Sequence, residues 1–337
     1  MGNVPSIDDI YLAREVRGLG EADRRFRDEV QLGKLVRLHR GAFVEKEVLD
    51  LQSPLMRYQL HCLGAFHASR TDVVLSHDSA AAMHGIPILG RYPKLIHVLV
   101  TMQAGTRTEH GYRKHATWHP RAHLEARGTL VLTDLPRTLV EFACTSTLAS
   151  AVTALDWALR NHGEGSRTPI TKEALIRCAD DLEIRRGRKQ LAIALELANP
   201  LSESPGESLS RVMIHQLGFP KPILQQAFSD HGGPIGRVDF WWPDFSLIGE
   251  FDGVAKYVRE EYSRGKSAAQ IVVEEKIRED RLRATGPRMT RWGWEIATTP
   301  QRLFVHLREA GLPSWRRSAY REELRANSAQ PGVRARP

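Results

Sequence analysis

Residues 237–257, RVDFWWPDFSLIGEFDGVAKY, constrain the fold of this chain more than any other stretch. Two apolar segments flank a Pro-Asp turn, which is typical of two adjacent strands. The carboxylates Asp239, Glu250 and Asp252 interrupt these segments, although the rest resembles the core of a sheet. A buried carboxylate is costly unless it is paired or binds a metal. We therefore expect the functional site in this stretch.

Alternation along a strand places Glu250 and Asp252 on one face, and a hairpin would let Asp239 meet either of them. Upstream, SPGES begins a predicted helix that is capped by Ser204 and projects Glu207. Three acids from a helix and two strands form an oxygen-rich pocket that suits Mg²⁺ or Mn²⁺.

Ion pairing is the alternative explanation for these acids. Glu207 and Arg211 lie four residues apart, as in an ordinary pair on a helix surface. The strand carboxylates could likewise pair with Arg237, Arg211 or Lys256, with no metal involved.

Three segments in the last third of the chain resemble the DUF559 group of the PD-(D/E)XK nuclease superfamily, which is related to very-short-patch-repair-type endonucleases. They are ESLSRVMIHQLGFPKPILQ, RVDFWWPDFSLIGEFDGVAKY and EEKIREDRLRATGPRMTRWGWE, within residues 204–310. The resemblance implies an α/β/α sheet domain that cleaves DNA. It also implies that Glu207, Asp239 and Glu250 bind the metal.

This chain departs from the superfamily pattern at one position. The pattern has a lysine two residues after the second-strand Glu, where this chain has Asp252. Repair-type relatives place a His or Lys just downstream, and Lys256 occupies the comparable place. The implied catalytic set is therefore Glu207, Asp239, Glu250, Asp252 and Lys256.

The N-terminal residues predict a winged-helix module. Residues 7–32 have apolar positions at helical spacing, broken by Gly18 and Gly20 into two short helices. GKLVRLHRGAFV (33–44) alternates around an Arg-Gly turn, as a β-hairpin does. The candidate DNA-contacting residues of the whole chain are Lys34, Arg37, Arg40, Arg211 and Lys276. A structural module that does not touch DNA is the alternative.

The segments GKLVRLHRGAFV, VVLSHDSAAAMHGI and TDLPRTLVEFA resemble the AbiEi-type antitoxin module, a winged helix followed by a mixed domain. This resemblance implies a transcriptional or toxin-neutralising role in a bacterial type IV toxin–antitoxin system. The predicted fold class is α/β (α+β). The predicted domains are a winged helix (1–50), a mixed domain (51–198), a nuclease-like domain (199–312) and a basic tail (313–337).

Composition restricts the partners. The net charge of +8 favours an anionic partner such as nucleic acid. No apolar run is long enough to cross a bilayer, and the start lacks the apolar region of a signal peptide. Cys62, Cys144 and Cys178 offer neither a disulfide framework nor a CxxC metal site, which fits the cytoplasm.

Histidines are concentrated in the middle of the chain, between residues 61 and 123. His115, His119 and His123 are spaced four apart, but Pro120 interrupts any helix that would align them. Solvated or locally bonded histidines are therefore expected rather than a zinc site.

These patterns predict a cytoplasmic, Mg²⁺- or Mn²⁺-dependent DNA endonuclease that is guided by an N-terminal DNA-binding module. The alternative is a non-catalytic DNA-binding regulator or antitoxin that keeps the nuclease fold as a scaffold, with a cognate toxin as its partner. The substrate structure and the oligomeric state stay open.

Overall fold

The computed structural model describes residues 9–161, 163, 168–253 and 268–315. The chain divides into two compact units, unit 1 (Met1–Pro200) and unit 2 (Leu201–Pro337). Helices and strands are mixed in both units, so the chain has the α+β class that its sequence predicts.

Unit 1 begins with short helices around a small sheet. Its first elements are β1 (Tyr11–Leu12), α1 (Ala13–Val16), α2 (Glu21–Gln31), β2 (Leu35–His39), β3 (Ala42–Glu45) and α3 (Lys46–Leu51). The strand order is β1-β3-β2, and β2 and β3 are antiparallel. The chain reverses at Arg40 and Gly41, and Gly41 has a φ of +86° that glycine adopts without strain. The predicted hairpin is thus confirmed.

The remaining elements of unit 1 alternate between helices and short strands. They are α4 (Pro54–Ala68), α5 (His77–Met83), β4 (Ile96–Thr101), β5 (Arg107–Glu109), β6 (Tyr112–Thr117), β7 (Leu124–Arg127), β8 (Leu130–Thr133), α6 (Leu135–Thr145), α7 (Leu148–Leu159), α8 (Lys172–Asp181) and α9 (Arg188–Leu197). β6 pairs in parallel with β4 and antiparallel with β5, while β7 and β8 form a separate antiparallel ladder. One hydrophobic core includes Ile10 and Val44 as well as Leu60, Leu75 and Leu132, so the first sheet shares a core with the elements that follow it.

The sequence places the end of α7 too late. The residues ASAVTALDWALRNHG (149–163) predict a helix that Gly163 ends, whereas α7 ends at Leu159 and Arg160 already has an extended backbone. The amide of Ile170 donates to the carbonyl of Ala158 over 3.0 Å. Ile170 therefore satisfies the Ala158 carbonyl, which would accept from a later helical amide if α7 continued.

Unit 2 is a four-stranded sheet with helices. Its elements are α10 (Pro205–Gln216), β9 (Ile223–Asp230), β10 (Gly233–Trp242), β11 (Leu247–Phe251), α11 (Ala268–Ala284), β12 (Arg288–Trp292), α12 (Trp294–Ala297) and α13 (Pro300–Glu309). The strand order is β12-β11-β10-β9. β10 is antiparallel to β9 and β11, which confirms the predicted hairpin, and β12 is parallel to β11.

Large aromatic rings hold α10 against this sheet. Phe240 stacks on Trp292 with 5.3 Å between the ring centroids, and the Trp292 indole donates to the Ser210 hydroxyl of α10 over 2.9 Å. Leu282 of α11 belongs to a second buried cluster, with Val238 and Ile248. Both hydrophobic clusters keep the strands in register, and the strands carry the acidic residues.

Among the described helices, none is both long and apolar enough to cross a membrane.

Candidate functional site

Helix α10 begins in a way that fixes the Glu207 side chain. Ser204 caps the helix by accepting from the Glu207 amide over 3.2 Å, and its hydroxyl donates to Glu207 Oε1 over 2.8 Å. The Glu203 amide donates to Glu207 Oε2 over 2.8 Å. This resembles a capping box, in which a Ser and a Glu three residues later each accept from the other's amide, except that the Glu207 carboxylate accepts from the Glu203 amide rather than from that of Ser204. Glu207 is buried, with only 3% of its surface exposed, so its carboxylate is held rigidly.

Asp239 lies on β10, and its carboxylate reaches the end of β11. Its Oδ2 accepts from the amide of Phe251 over 2.9 Å. Phe251 follows Glu250 directly, so this hydrogen bond joins β10 to β11 beside Glu250.

Gln225 of β9 links the first two acids. Its side-chain amide donates to Glu207 Oε2 over 3.2 Å and to Asp239 Oδ1 over 3.3 Å. Gln225 also has a φ of +52°, in the left-handed region that L-residues rarely adopt. Such strain is often found at functional sites. The structure thus brings Glu207 and Asp239 together through one amide group.

Glu250 is bound by two arginines. Arg278 of α11 donates to Glu250 Oε1 over 2.7 Å, and Arg291 of β12 lies 3.0 Å from Oε2. Glu275 of α11 pairs with both guanidinium groups. Burial raises the pKa of Glu250, whereas the hydrogen bond and charge of Arg278 oppose that rise. The repulsion of Asp239 adds to the rise, as expected for a second carboxylate nearby.

The other two predicted catalytic residues are Asp252 and Lys256. The Asp252 side chain is 44% exposed, and its Oδ1 lies 3.8 Å from Arg291. Lys256 lies outside the described residues. Arg237, which the sequence offers as a partner for the acids, pairs instead with Glu203 over 2.6 Å. Pairing with arginine does occur at Glu250, but through Arg278 and Arg291.

The oxygen donors of this cluster are chemically suited to Mg²⁺ or Mn²⁺. Within residues 9–161, 163, 168–253 and 268–315, however, no group of three or more His, Cys, Asp or Glu side chains is arranged to hold a metal ion. Neighbouring side chains occupy these carboxylates. The Gln225 amide lies between Glu207 and Asp239, and Glu250 faces guanidinium groups. A cation would therefore have to compete with Arg278 and Arg291 for Glu250.

The predicted DNA-contacting residues occupy different environments. Lys34, Arg37 and Arg40 are exposed on and beside the β2–β3 hairpin, and Lys276 is exposed on α11. Arg211, by contrast, is buried in α10 with 8% of its surface exposed. A buried guanidinium does not face solvent, so Arg211 is not presented to DNA in this structure.

Sequence reasoning missed Arg278, Arg291 and Gln225. The two arginines lie in the segment EEKIREDRLRATGPRMTRWGWE. Alternation in RMTRW, together with a parallel pairing to the strand that carries Glu250, could have indicated that Arg291 lies beside this acid. Gln225 carries no such signal, because Gln226 beside it has the same side chain.

No family model matches this chain. Two proteins of Mycobacterium tuberculosis are similar to it: Uncharacterized protein Rv2248 of strain H37Rv and Uncharacterized protein MT2308 of strain CDC 1551. Each is 28% identical over 234 residues, which cover 67% of this chain and 76% of the relative. The chain is thus similar to mycobacterial proteins whose names state no function.

Proposed function

We propose that unit 2 is a divalent-cation-dependent DNA endonuclease. The observation that supports this most is the linkage of Glu207 and Asp239 through Gln225, with Asp239 bonded to the amide that follows Glu250. The three acids come from helix α10 and from the two strands of the β10–β11 hairpin. Glu207, Asp239 and Glu250 would hold Mg²⁺ or Mn²⁺, which supplies a polarised water and neutralises charge on the phosphodiester.

The protein's own cations would position the DNA strand. Arg278 and Arg291 lie beside Glu250, where a guanidinium group can form two hydrogen bonds to a phosphate. Lys276 is exposed on the same helix as Arg278. The β2–β3 hairpin of unit 1, with Lys34, Arg37 and Arg40, would add sequence-independent contacts to the backbone.

A second candidate is favoured by the pairing of Glu250 with two arginines, which satisfies a buried carboxylate without a metal. In this candidate the chain is a non-catalytic DNA-binding regulator or antitoxin, and a cognate toxin is its partner. Either candidate would act in the bacterial cytoplasm, where the DNA lies.

A nuclease assay separates the two candidates. The purified full chain would be incubated with supercoiled plasmid, matched and mismatched duplexes, and single-stranded DNA, in Mg²⁺, Mn²⁺ or EDTA. The endonuclease proposal expects cleavage that needs the cation and is lost in Glu250→Ala. If the wild type leaves every DNA intact in both metals, the endonuclease proposal fails. A mobility shift of the protein's own upstream DNA that survives Glu250→Ala would then support the regulator.

A further inference from the structure

A cavity of about 710 Å³ lies in unit 1, and all of its lining residues belong to that unit. Its walls come from α5, β4, β6, α6 and the segment 182–186 between α8 and α9. This volume is within the range of sites that hold small molecules and cofactors. Leu99, Met102 and Leu182 supply apolar surface, so the cavity suits a ligand with a ring as well as polar groups.

A buried carboxylate oxygen in this cavity lacks a hydrogen bond. Glu141 lines the cavity and is 5% exposed. Its Oε1 accepts from Arg137 over 2.7 Å, whereas its Oε2 has no hydrogen-bond partner among the described residues. His77 lies 3.3 Å from Oε2. Since leaving a buried acceptor unsatisfied is unfavourable, a ligand N–H or O–H group would stabilise this site.

Three imidazoles and a second carboxylate line the same cavity as Glu141. His77 stacks on His115 with 3.6 Å between the ring centroids. His97 Nδ1 lies 3.1 Å from Asp78 Oδ2 and 3.2 Å from His115 Nε2. His97 Nδ1 can carry only one proton, so it cannot donate to both Asp78 and His115. The partner that is left over can form a hydrogen bond with a ligand.

Their surroundings favour the neutral form of these histidines. Burial lowers the pKa of all three, and the charge of Arg113 lowers them further. A neutral imidazole offers one donor and one acceptor, as the edge of a nucleobase does. This end of the cavity is thus polar and suited to hydrogen bonding rather than to a simple anion.

Three arginines make another part of this cavity suitable for a negatively charged group. Arg113, Arg185 and Arg186 line the same cavity. The side chains of Arg185 and Arg186 are exposed, and no hydrogen bond or ion pair engages them within the described part of the chain. Guanidinium groups favour phosphate because they bind two of its oxygens at once.

An exposed indole completes the set. Trp118 lines the cavity with 66% of its surface exposed. Any nucleobase can stack on such a side chain, because every base has an aromatic face.

We infer that this cavity binds a nucleoside phosphate. The base donates N–H groups to Glu141 and Asp78 and stacks on Trp118, while the phosphate lies against Arg113, Arg185 and Arg186. A free nucleotide and a nucleotide at the end of a strand share this chemistry. A phosphate ion alone would leave Glu141 unsatisfied, and among the described residues no cluster is arranged for a metal.

Calorimetric titration of the full chain tests this inference. The probes are AMP, GMP, CMP and UMP as free nucleotides, 5′-phosphorylated and unphosphorylated oligonucleotides, inorganic phosphate, and Zn²⁺ or Mn²⁺ alone. We expect at least one nucleoside phosphate, free or at a strand end, to bind at least about tenfold more tightly than inorganic phosphate. Preference for the free or the strand-end form identifies the source, and either supports the inference.

Two variants locate the binding. Arg185→Ala/Arg186→Ala removes two exposed charges and should weaken nucleotide binding at least about tenfold, without unfolding unit 1. Arg177→Ala/Lys189→Ala removes the same charge from nearby exposed positions and should not. Glu141→Gln should also weaken binding, and the arginine variants decide the question if Glu141→Gln fails to fold. The inference is overturned if no nucleoside phosphate binds, or if inorganic phosphate or a metal alone binds as tightly as the best nucleoside phosphate. It is also overturned if the two double variants bind nucleotide equally.

Discussion

Gln225 shows how one residue organises the site in unit 2. Its backbone has a φ of +52°, and its amide group lies between Glu207 and Asp239. A non-glycine residue in this conformation costs about 1–2 kcal/mol. The amide compensates by separating two carboxylates that would otherwise repel each other.

Gln225→Glu replaces this amide with a third carboxylate. At pH 7 we expect the free energy of unfolding to fall by about 1–3 kcal/mol, because the two hydrogen bonds become repulsive contacts. Millimolar Mn²⁺ should restore part of this loss, since three carboxylates then share a cation. Urea unfolding with and without Mn²⁺ measures both effects.

Gln226→Glu is the matched control, because the Gln226 amide donates to the Ala227 carbonyl instead. Equal losses in both variants, or no response of Gln225→Glu to Mn²⁺, would contradict this role of Gln225. The sequence predicts Glu207 and Asp239 because a cap and an interrupted strand mark them. It does not predict Gln225, whose role depends on pairing register and backbone conformation.

At the scale of elements, α10 approaches β11 closely because Gly206 has no side chain. A Cβ at this position would overlap the Phe251 ring, which is buried. Glu207 follows Gly206 in the chain, so the same close approach positions the acid.

Gly206→Ala should therefore lower the free energy of unfolding by about 1–3 kcal/mol, as overpacking of a core does. Gly253→Ala is the control, since its Cβ would lie 3.7 Å from Phe251, an ordinary contact. Thermal unfolding of both variants, followed by tryptophan fluorescence, tests this. A Gly206→Ala protein as stable as Gly253→Ala would show that α10 can move away at no cost.

The β2–β3 hairpin is the element that the sequence predicts most completely, since its turn and alternation are local. If its basic residues contact DNA, the triple variant Lys34→Ala/Arg37→Ala/Arg40→Ala should weaken DNA binding. The slope of log K against log salt should fall in magnitude by about 2–3, because each lost phosphate contact removes roughly 0.9. Arg70→Ala/Arg91→Ala/Lys94→Ala removes the same charge from other exposed positions of unit 1. Identical slopes for both triple variants would exclude the hairpin as a DNA contact.

At the scale of the whole molecule, the sequence predicts the fold class and two hairpins but not the charge pairs. The hairpin of β10 and β11 follows from local alternation and a Pro-Asp turn. The partners of Glu250 depend instead on how α11 and β12 pack, and Arg278 is 28 residues away in the chain. The histidine cluster of unit 1 was missed for the same reason. His77, His97 and His115 have no helical spacing, and the parallel pairing of β4 with β6 brings two of them together.

This histidine cluster makes the stability of unit 1 depend on pH. Burial, with the charges of His97 and Arg113, lowers the pKa of His115 to about 3. The unfolded chain therefore binds the proton first, below about pH 6.5. The stability that neutral His115 contributes is complete above that pH and is lost as the pH falls toward 3.

His115→Gln should accordingly reduce the loss of stability between pH 6.5 and 4, relative to the wild type. The buried groups Asp78 and Glu141 have raised pKa values, chiefly through burial, and act in the opposite direction in both proteins. Urea unfolding across this range, with the exposed His110→Gln as control, measures the difference. Parallel curves for the wild type and His115→Gln would refute the assignment.

The proposed cation-dependent site for DNA cleavage consists of Glu207, Asp239 and Glu250. The most direct measurement is the rate of plasmid nicking in Mn²⁺ by Asp239→Ala and by Asp244→Ala, whose carboxylate is exposed in the turn after β10. Asp244→Ala should cleave at the wild-type rate and Asp239→Ala should be slower by at least about 100-fold, since a lost metal ligand removes several kcal/mol of stabilisation from the transition state. Equal nicking by the two variants, or a wild type that does not nick DNA in Mn²⁺, would contradict it.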